Sequence, residues 1–154
     1  MKRIRLSSGR YTIIDEEDAK FLFGKKLSES TNGYARININ SKKLTLHRFL
    51  MKAREGVFVD HINGNKLDNR RSNLRFCSKS QNGMNRPKPL WKKAPSVFKG
   101  VGWLKKNKRW RATIQLNGKQ THIGCFDSDI SAARAYDIAA KKMFGKFAYQ
   151  NFAT

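Results

Sequence analysis

Between Val59 and Asn82 the chain reads VDHINGNKLDNRRSNLRFCSKSQN. This one stretch holds an adjacent Asp60 and His61, a Gly/Asn-rich loop, Asn73 and Asn82. Hydrolysing a phosphodiester near neutral pH needs a base to activate water and a hard cation to neutralise charge on the phosphate and the leaving oxygen. His61 can be that base, and the oxygens of Asp60 and Asn82 suit Mg²⁺ or Mn²⁺. An isolated Asp-His pair is usually structural, and Asn/Gly loops usually just turn the chain. The order and spacing of the whole set point to a nuclease centre.

The residues around this stretch must position it. Gly56 to Val59 reads as the strand that delivers Asp60 and His61, and Arg75 to Cys77 as its returning partner. Ser78 to Asn85 reads as a helix that turns Asn82 back towards Asp60 and leaves His61 on the phosphate side. Cys77, in an apolar context, reads as packing. Upstream, Arg3–Leu6 and Tyr11–Ile14 form a hairpin through Ser7–Arg10. Asp15 is placed to cap a short helix, with Glu16, Glu17 and Asp18 at its positive end and Gly24 as its stop. Capping accounts for these four carboxylates better than metal binding does. Tyr34–Ile39 alternates as a half-buried strand, Leu44–Leu46 as another, and His47–Ala53 as a helix. His47 reads as a satisfied, partly buried histidine, with support of the site or a phosphate contact as the other reading.

The pattern Asp60-His61-Ile62-Asn63-Gly64-Asn65, Leu67-Asp68-Asn69-Arg70, Ser72-Asn73-Leu74-Arg75 and Gln81-Asn82 resembles the HNH endonucleases of the phage and intron-encoded homing type. That resemblance implies a ββα-metal core with His61 as general base and one divalent ion on Asp60 and Asn82. It also implies that Asn73 braces the loop by hydrogen bonds. In many relatives a histidine stands at the last metal position, so Asn82 marks the Asp/Asn-ligated branch. Asn85, one helical turn on, is the weaker candidate for that ligand.

Lysine and arginine number 33 against 11 acidic residues, a net charge of +22 in 154 residues. Such a balance calls for a polyanionic partner. From Asn69 through Phe126 there is no acidic residue at all, so a solvated charged face does not account for the run. Nucleic acid does, with affinity that falls steeply as salt rises. Two cysteines without a CxxC pair predict neither a disulfide scaffold nor a zinc knuckle. The basic Met1–Arg10 is not followed by the apolar run of a secretion signal, and no stretch suits a membrane span. A reducing, cytosolic setting is the expectation. All three prolines fall between Arg86 and Ser96, in RPKPLWKKAP, which predicts an extended linker over 87–95. In it Arg86, Lys88, Lys92 and Lys93 could track DNA and Trp91 could dock on a neighbouring domain.

From Val97 the pattern becomes three strands, 97–104, 110–116 and 119–126, and one helix. Asn117-Gly118 is a strong hairpin signal. Ser128 caps an Ala-rich helix with Ala133, Tyr136, Ala140 and Met143 along one face, and Gly145 stops it. The residues Phe98-Lys99-Gly100-Val101, Trp110-Arg111-Ala112, Ile123-Gly124 with Phe126, Ala132 to Asp137 with Ala139-Ala140, and Asn151-Phe152 resemble the Apetala-two, or ethylene-response-factor, DNA-binding domain over Ser96–Phe152. The resemblance implies a sheet that enters the major groove and reads bases with arginines and tryptophans. Lys99 and Trp103 fall in reading strands. Gly102 and Leu104 stand where arginines are usual, Thr113 and Gln115 replace Glu and Arg, and His122 replaces a tryptophan, so the framework matches better than the reading residues. Trp110 and Tyr136 are assigned to packing, and Trp103 to packing or DNA. Lys105, Lys108, Arg109, Arg111 and Lys119 are phosphate-contact candidates, and Arg70, Arg71 and Arg75 are DNA-binding candidates in the first half. Gln115 can pair with adenine.

The expected fold is α+β: an HNH ββα-metal domain over 1–86, the Pro/Lys linker, and over 96–154 a three-stranded antiparallel sheet packed on one α-helix. The expected activity is metal-dependent DNA hydrolysis, nicking by a monomer, with Mg²⁺ or Mn²⁺, double-stranded DNA as partner, and neither membrane nor small-molecule cofactor. The alternatives are a DNA-binding regulator whose HNH half no longer cleaves, and RNA binding.

Overall fold

The computed structural model describes residues 1–89 and 94–152. Leu90 to Lys93 lie outside the described residues, and with them the expected roles of Trp91, Lys92 and Lys93. The chain forms two compact units, Met1–Asn82 and Gly83–Thr154. Both mix helix with small antiparallel sheets, as the α+β expectation requires.

In the first unit, β1 (Lys2–Arg5) and β2 (Tyr11–Ile14) form the expected hairpin. A three-stranded sheet follows from β3 (Leu27–Glu29), β4 (Ala35–Ile39) and β5 (Lys42–Thr45). β3 is an addition: at three residues it is too short to show an alternating pattern. The helix expected over 47–53 is α1, Leu46–Leu50. It ends early because Lys52 takes a left-handed φ of 49°. Arg48 then donates to the carbonyls of Arg54 and Val57 and fixes the loop that leads onward. Ile14, Leu27, Ile37, Leu46 and Leu50 close a core under these elements, which Leu67 from the polar loop also enters.

β6 (Phe58–His61) and β7 (Leu74–Cys77) pair in register, Asp60 opposite Arg75 and His61 opposite Leu74. Asp60 and His61 are thus strand residues themselves rather than loop residues beyond a strand end. The turn before α2 (Lys79–Met84) carries a reciprocal cap, Ser78 N to Gln81 Oε1 at 2.8 Å and Gln81 N to Ser78 Oγ at 3.1 Å. This cap is the local reason for Ser78 and Gln81, and it fixes where Asn82 stands on the helix.

The acidic segment departs from expectation. Glu16–Leu22 is a 3₁₀ helix, and Asp15 makes no side-chain cap to it. Asp15 Oδ2 instead accepts from Arg71 N at 2.7 Å, and buried Asp18 holds the Arg71 guanidinium through Nε and Nη2. Arg71, 56 residues from Asp15 and 53 from Asp18, outcompetes the local cap, because Asp18 is 1% exposed and a buried carboxylate needs a cation.

In the second unit β8 (Val101–Leu104), β9 (Arg109–Leu116) and β10 (Lys119–Phe126) lie in the order β10-β9-β8. Residues 97–100, expected to be strand, instead turn into the sheet, since Gly100 adopts φ +78°. α3 (Asp129–Phe144) is capped by Ser128 Oγ, which accepts from Ser131 N, and ends at Gly145. Its buried face is Ala132, Ala133, Tyr136, Ala140 and Phe144. Met143 points outward, and Phe144 takes the core place assigned to it because the i, i+4 series from Tyr136 leads there. Asp137 and Asn151 lock the end of the chain to the entry of the sheet. Asn151 accepts from Lys99 N at 2.7 Å and donates to Asp137 Oδ1 at 2.9 Å.

A Cβ at Gly100 would lie 2.0 Å from the Tyr136 ring and 2.7 Å from the Thr113 carbonyl, in a backbone region that L side chains avoid. Gly100→Ala is expected to destabilise the second unit by about 2 kcal/mol or more. Urea unfolding followed by tryptophan fluorescence checks this.

Candidate active site

The loop from Ile62 to Asn73 is held by its own amides. Asn73 Oδ1 accepts from Asn63 N at 3.0 Å, while its Nδ2 donates to Asn63 Oδ1 at 2.9 Å and to the Asp68 carbonyl at 2.8 Å. Asn63 also donates to Asp68 Oδ2, and Asn65 Oδ1 accepts from Leu67 N. Gly64 supplies the left-handed φ of 72° that the turn requires. The hairpin docks along the same loop: Ile13 N donates to the Leu67 carbonyl at 2.8 Å and Asn69 N to the Ile13 carbonyl at 2.7 Å, a short parallel bridge.

This frame leaves Asp60 and His61 side by side and buried, at 7% and 4% exposure. Asp60 Oδ2 is gripped by Arg75 through Nε at 3.0 Å and Nη2 at 2.7 Å. His61 Nε2 lies 3.2 Å from Asn69 Oδ1. The His61 ring packs edge-on against His47, centroids 4.9 Å apart, with Tyr34 6.0 Å away. His47 is therefore a neighbour of the site, and it is not satisfied as expected: its buried Nδ1 has no hydrogen-bond partner among the described residues. Burial, reinforced by His61 and Arg48, pushes His47 down to about 3. Burial likewise lowers His61, opposed by the Asn69 hydrogen bond and by Asp60. Both imidazoles are neutral at neutral pH, the state a base requires.

The three arginines of the stretch are each anchored to a carboxylate: Arg70 to Asp68, Arg71 to Asp18 and Arg75 to Asp60. Arg70 and Arg71 keep about two fifths of their side chains exposed, whereas Arg75 is at 11%. The bond to Arg70 holds the Asp68 carboxyl below its usual range. Asn82 is half-buried on α2, and Asn85 is buried and falls in the second unit. Among the described residues no three of His, Cys, Asp and Glu gather as a metal-holding group. Asp60 and Asn82 present the hard oxygen donors that suit a divalent ion of the Mg²⁺ type, so the donor chemistry fits.

On the sheet of the second unit the register sorts the candidate DNA contacts. Ala112 and Ile114 face α3, so Arg109, Arg111, Thr113 and Gln115 project from the other, open face, joined there by His122 opposite Thr113. Trp103 is paired with Trp110, rings 4.9 Å apart, on the side that carries Val101. Lys105 and Lys108 sit exposed in the β8–β9 turn and Lys119 starts β10. Lys99 lies ahead of β8. Its ammonium donates to the carbonyls of Met84 and Arg86, both at 2.6 Å, and burial pulls it down to about 8. Gln115 Nε2 reaches the Gly118 carbonyl at 3.2 Å.

Residues 52–84 match the family profile described as HNH endonuclease. Protein 3.8 of Escherichia phage T7 is 33% identical over 94 residues, which cover 61% of this chain and 75% of the relative. The chain belongs to the HNH endonuclease family. An uncharacterized HNH endonuclease of Acanthamoeba polyphaga mimivirus is also 33% identical, over 126 residues, 78% of this chain. The match covers 63% of that viral relative, so the chain spans a little under two thirds of its length. An AP2-like ethylene-responsive transcription factor of Arabidopsis thaliana is 44% identical over 57 residues, 37% of this chain and 12% of the relative. The chain is thus also similar, over a stretch of that length, to a small part of an AP2-like protein. No solved structure matches.

Two residues at the heart of the HNH site escaped sequence reasoning. Asn69 stands within the quoted pattern, but nothing in its type says that it meets His61. Thr12 gives no signal at all, being one more alternating residue of a strand.

Two outcomes follow from the buried amides and imidazoles. Asn73→Ala strands Asn63 N and the Asp68 carbonyl, and is expected to cost about 2–3 kcal/mol in urea unfolding of the first unit. Because His47 and His61 are depressed in the fold, the unfolded chain binds more protons below its ordinary imidazole pKa. Stability is therefore fully present above about pH 6.5 and declines as pH falls, by up to about 1.4 kcal/mol per pH unit for His47, with His61 adding to the decline in the same direction. His47→Gln should make that decline shallower in urea titrations repeated between pH 7 and pH 4.

Proposed function

We propose that the protein is a metal-dependent DNA endonuclease that nicks duplex DNA and is targeted by its AP2-like domain. The supporting observation is the buried, neutral His61 held beside Asp60 in a loop that Asn73 closes, inside the segment that matches the HNH profile. His61 takes a proton from the attacking water. Asp60 and Asn82 would hold one divalent ion, Mg²⁺ or Mn²⁺, which when bound offsets charge on the scissile phosphate and the leaving 3′ oxygen. Asn73 braces the loop, and Arg70 and Arg71 offer anchored guanidinium edges to the backbone of the duplex. Arg75, more deeply enclosed, orients Asp60.

The second unit supplies affinity. Arg109, Arg111, Gln115 and His122 on the open face, with Lys105, Lys108 and Lys119 around it, present a basic surface to DNA. Trp103, edge-to-face with Trp110, braces the rim of that sheet, and Lys99 acts by fixing the chain around Met84 and Arg86. The domains are proposed as 1–86 and 96–154, joined by the Pro-rich 87–95. Tethering raises the local concentration of DNA at the cleaving unit, and a single centre cuts one strand per visit by a monomer.

Purified protein is expected to convert supercoiled plasmid to the open circle with Mg²⁺ or Mn²⁺ and to stop when the ion is chelated. His61→Ala should lose that activity while retaining DNA binding in a gel-shift assay. Undiminished nicking by this variant, or none by the unaltered protein with either ion, overturns the reading. Arg111→Ala together with Lys108→Ala should weaken binding by about tenfold or more at moderate salt and reduce the slope of log affinity against log salt by roughly two.

A further inference from the structure

We infer that Asn69, held in place by Thr12 of the N-terminal hairpin, is a positioning residue that fixes the tautomer of His61, with the proton on Nε2 and the lone pair on Nδ1. This rests on the nuclease reading for its consequence, though not for its geometry. The chain of hydrogen bonds begins at the Leu67 carbonyl, which can only accept. Thr12 Oγ1 lies 2.9 Å from it and must donate its one proton there. Thr12 Oγ1 can then only accept from Asn69, 2.8 Å away, so the Asn69 group facing it is the amide nitrogen. The Lys66 carbonyl, 3.4 Å from the same nitrogen, is a second acceptor that requires the same orientation. The amide oxygen of Asn69 is therefore the atom at 3.2 Å from His61 Nε2, and that nitrogen must carry the proton. A neutral imidazole has a single N–H, so Nδ1 is the basic atom.

Burial keeps this arrangement from relaxing. Thr12 and Asn69 are both fully enclosed, so no water substitutes for a lost partner. Reversing the amide would set its oxygen against two acceptors at once. A backbone carbonyl thus dictates, through two side chains, which ring nitrogen of His61 can receive a proton. Thr12 lies outside residues 52–84, so this network draws on a strand beyond the segment that matches the HNH profile.

The test uses the full chain labelled with ¹⁵N-histidine, whose three imidazoles are assigned by single replacement. Long-range ¹H–¹⁵N spectra at neutral pH should show His61 as the Nε2–H tautomer alone. Thr12→Val keeps the shape but removes both the donor to Leu67 and the acceptor for Asn69, which permits the amide to reverse. It should give a mixed His61 tautomer and lower the nicking rate about tenfold or more at saturating DNA, with DNA affinity unchanged. Thr12→Ser should restore both. Asn69→Leu should lose the single tautomer as well. An Nδ1–H signal for His61 in the unaltered protein overturns the inference, and so does a Thr12→Val chain with unaltered tautomer and rate. If Thr12→Val does not fold, the unaltered protein's spectrum and the Thr12→Ser rate decide. The spectra read the tautomer whether or not DNA is cut, so a failure of the nuclease reading appears separately, as absent nicking with the tautomer intact.

Discussion

The first unit depends on one constraint: a polar loop whose residues 67–69 and 73 are buried must satisfy the backbone and amide groups it takes out of water. Asn73 does most of this, with one side chain closing on Asn63 from both of its ends and reaching the Asp68 carbonyl besides. Unpartnered buried amides would each cost on the order of 1–3 kcal/mol. The Asn-rich composition of the loop follows from that requirement, since an asparagine both donates and accepts over a short reach. With the loop fixed, β6 and β7 can end beside it in a register that leaves Asp60 and His61 adjacent and enclosed.

Charge is handled locally in the same manner. The aspartates at 18, 60 and 68 are each met by an arginine of the stretch from Arg70 to Arg75. The arginines therefore hold defined positions despite long side chains, and the strongly basic chain keeps its few buried carboxylates compensated. The second unit meets its buried Asp137 with amides instead. Asp137 gathers Asn151 and the backbone of Phe152, and so ties the last described residues to the helix that backs the sheet.

Much of this was legible in the residues. The hairpin of β9 and β10 follows from Asn117-Gly118, the cap and stop of α3 from Ser128 and Gly145, and the placement of His61 beside Asp60 from the order of the whole pattern. What was not legible depends on partners far along the chain. Asp15 and Asp18 look like a helix start because local rules see only their neighbours, while their actual partner is Arg71. The edge-on packing of His47 against His61, and the meeting of Thr12 with Asn69, likewise arise only when separate elements come together. Gly100 was visible as part of a pattern, but the Tyr136 ring that forbids a side chain there was not.

The parallel bridge between Ile13 and the residues flanking Asp68 has a bearing on the order of assembly. Its contacts join positions more than fifty residues apart, so they form only after a large loop of chain has closed, whereas the β1–β2 hairpin needs few residues and can form early. During synthesis the hairpin leaves the ribosome long before the stretch it will grip. The hairpin's grip on the loop therefore cannot close before both segments are in place, whereas the loop's own amide bonds span ten residues or fewer. A chain without the hairpin would leave Asn69 without Thr12 behind it.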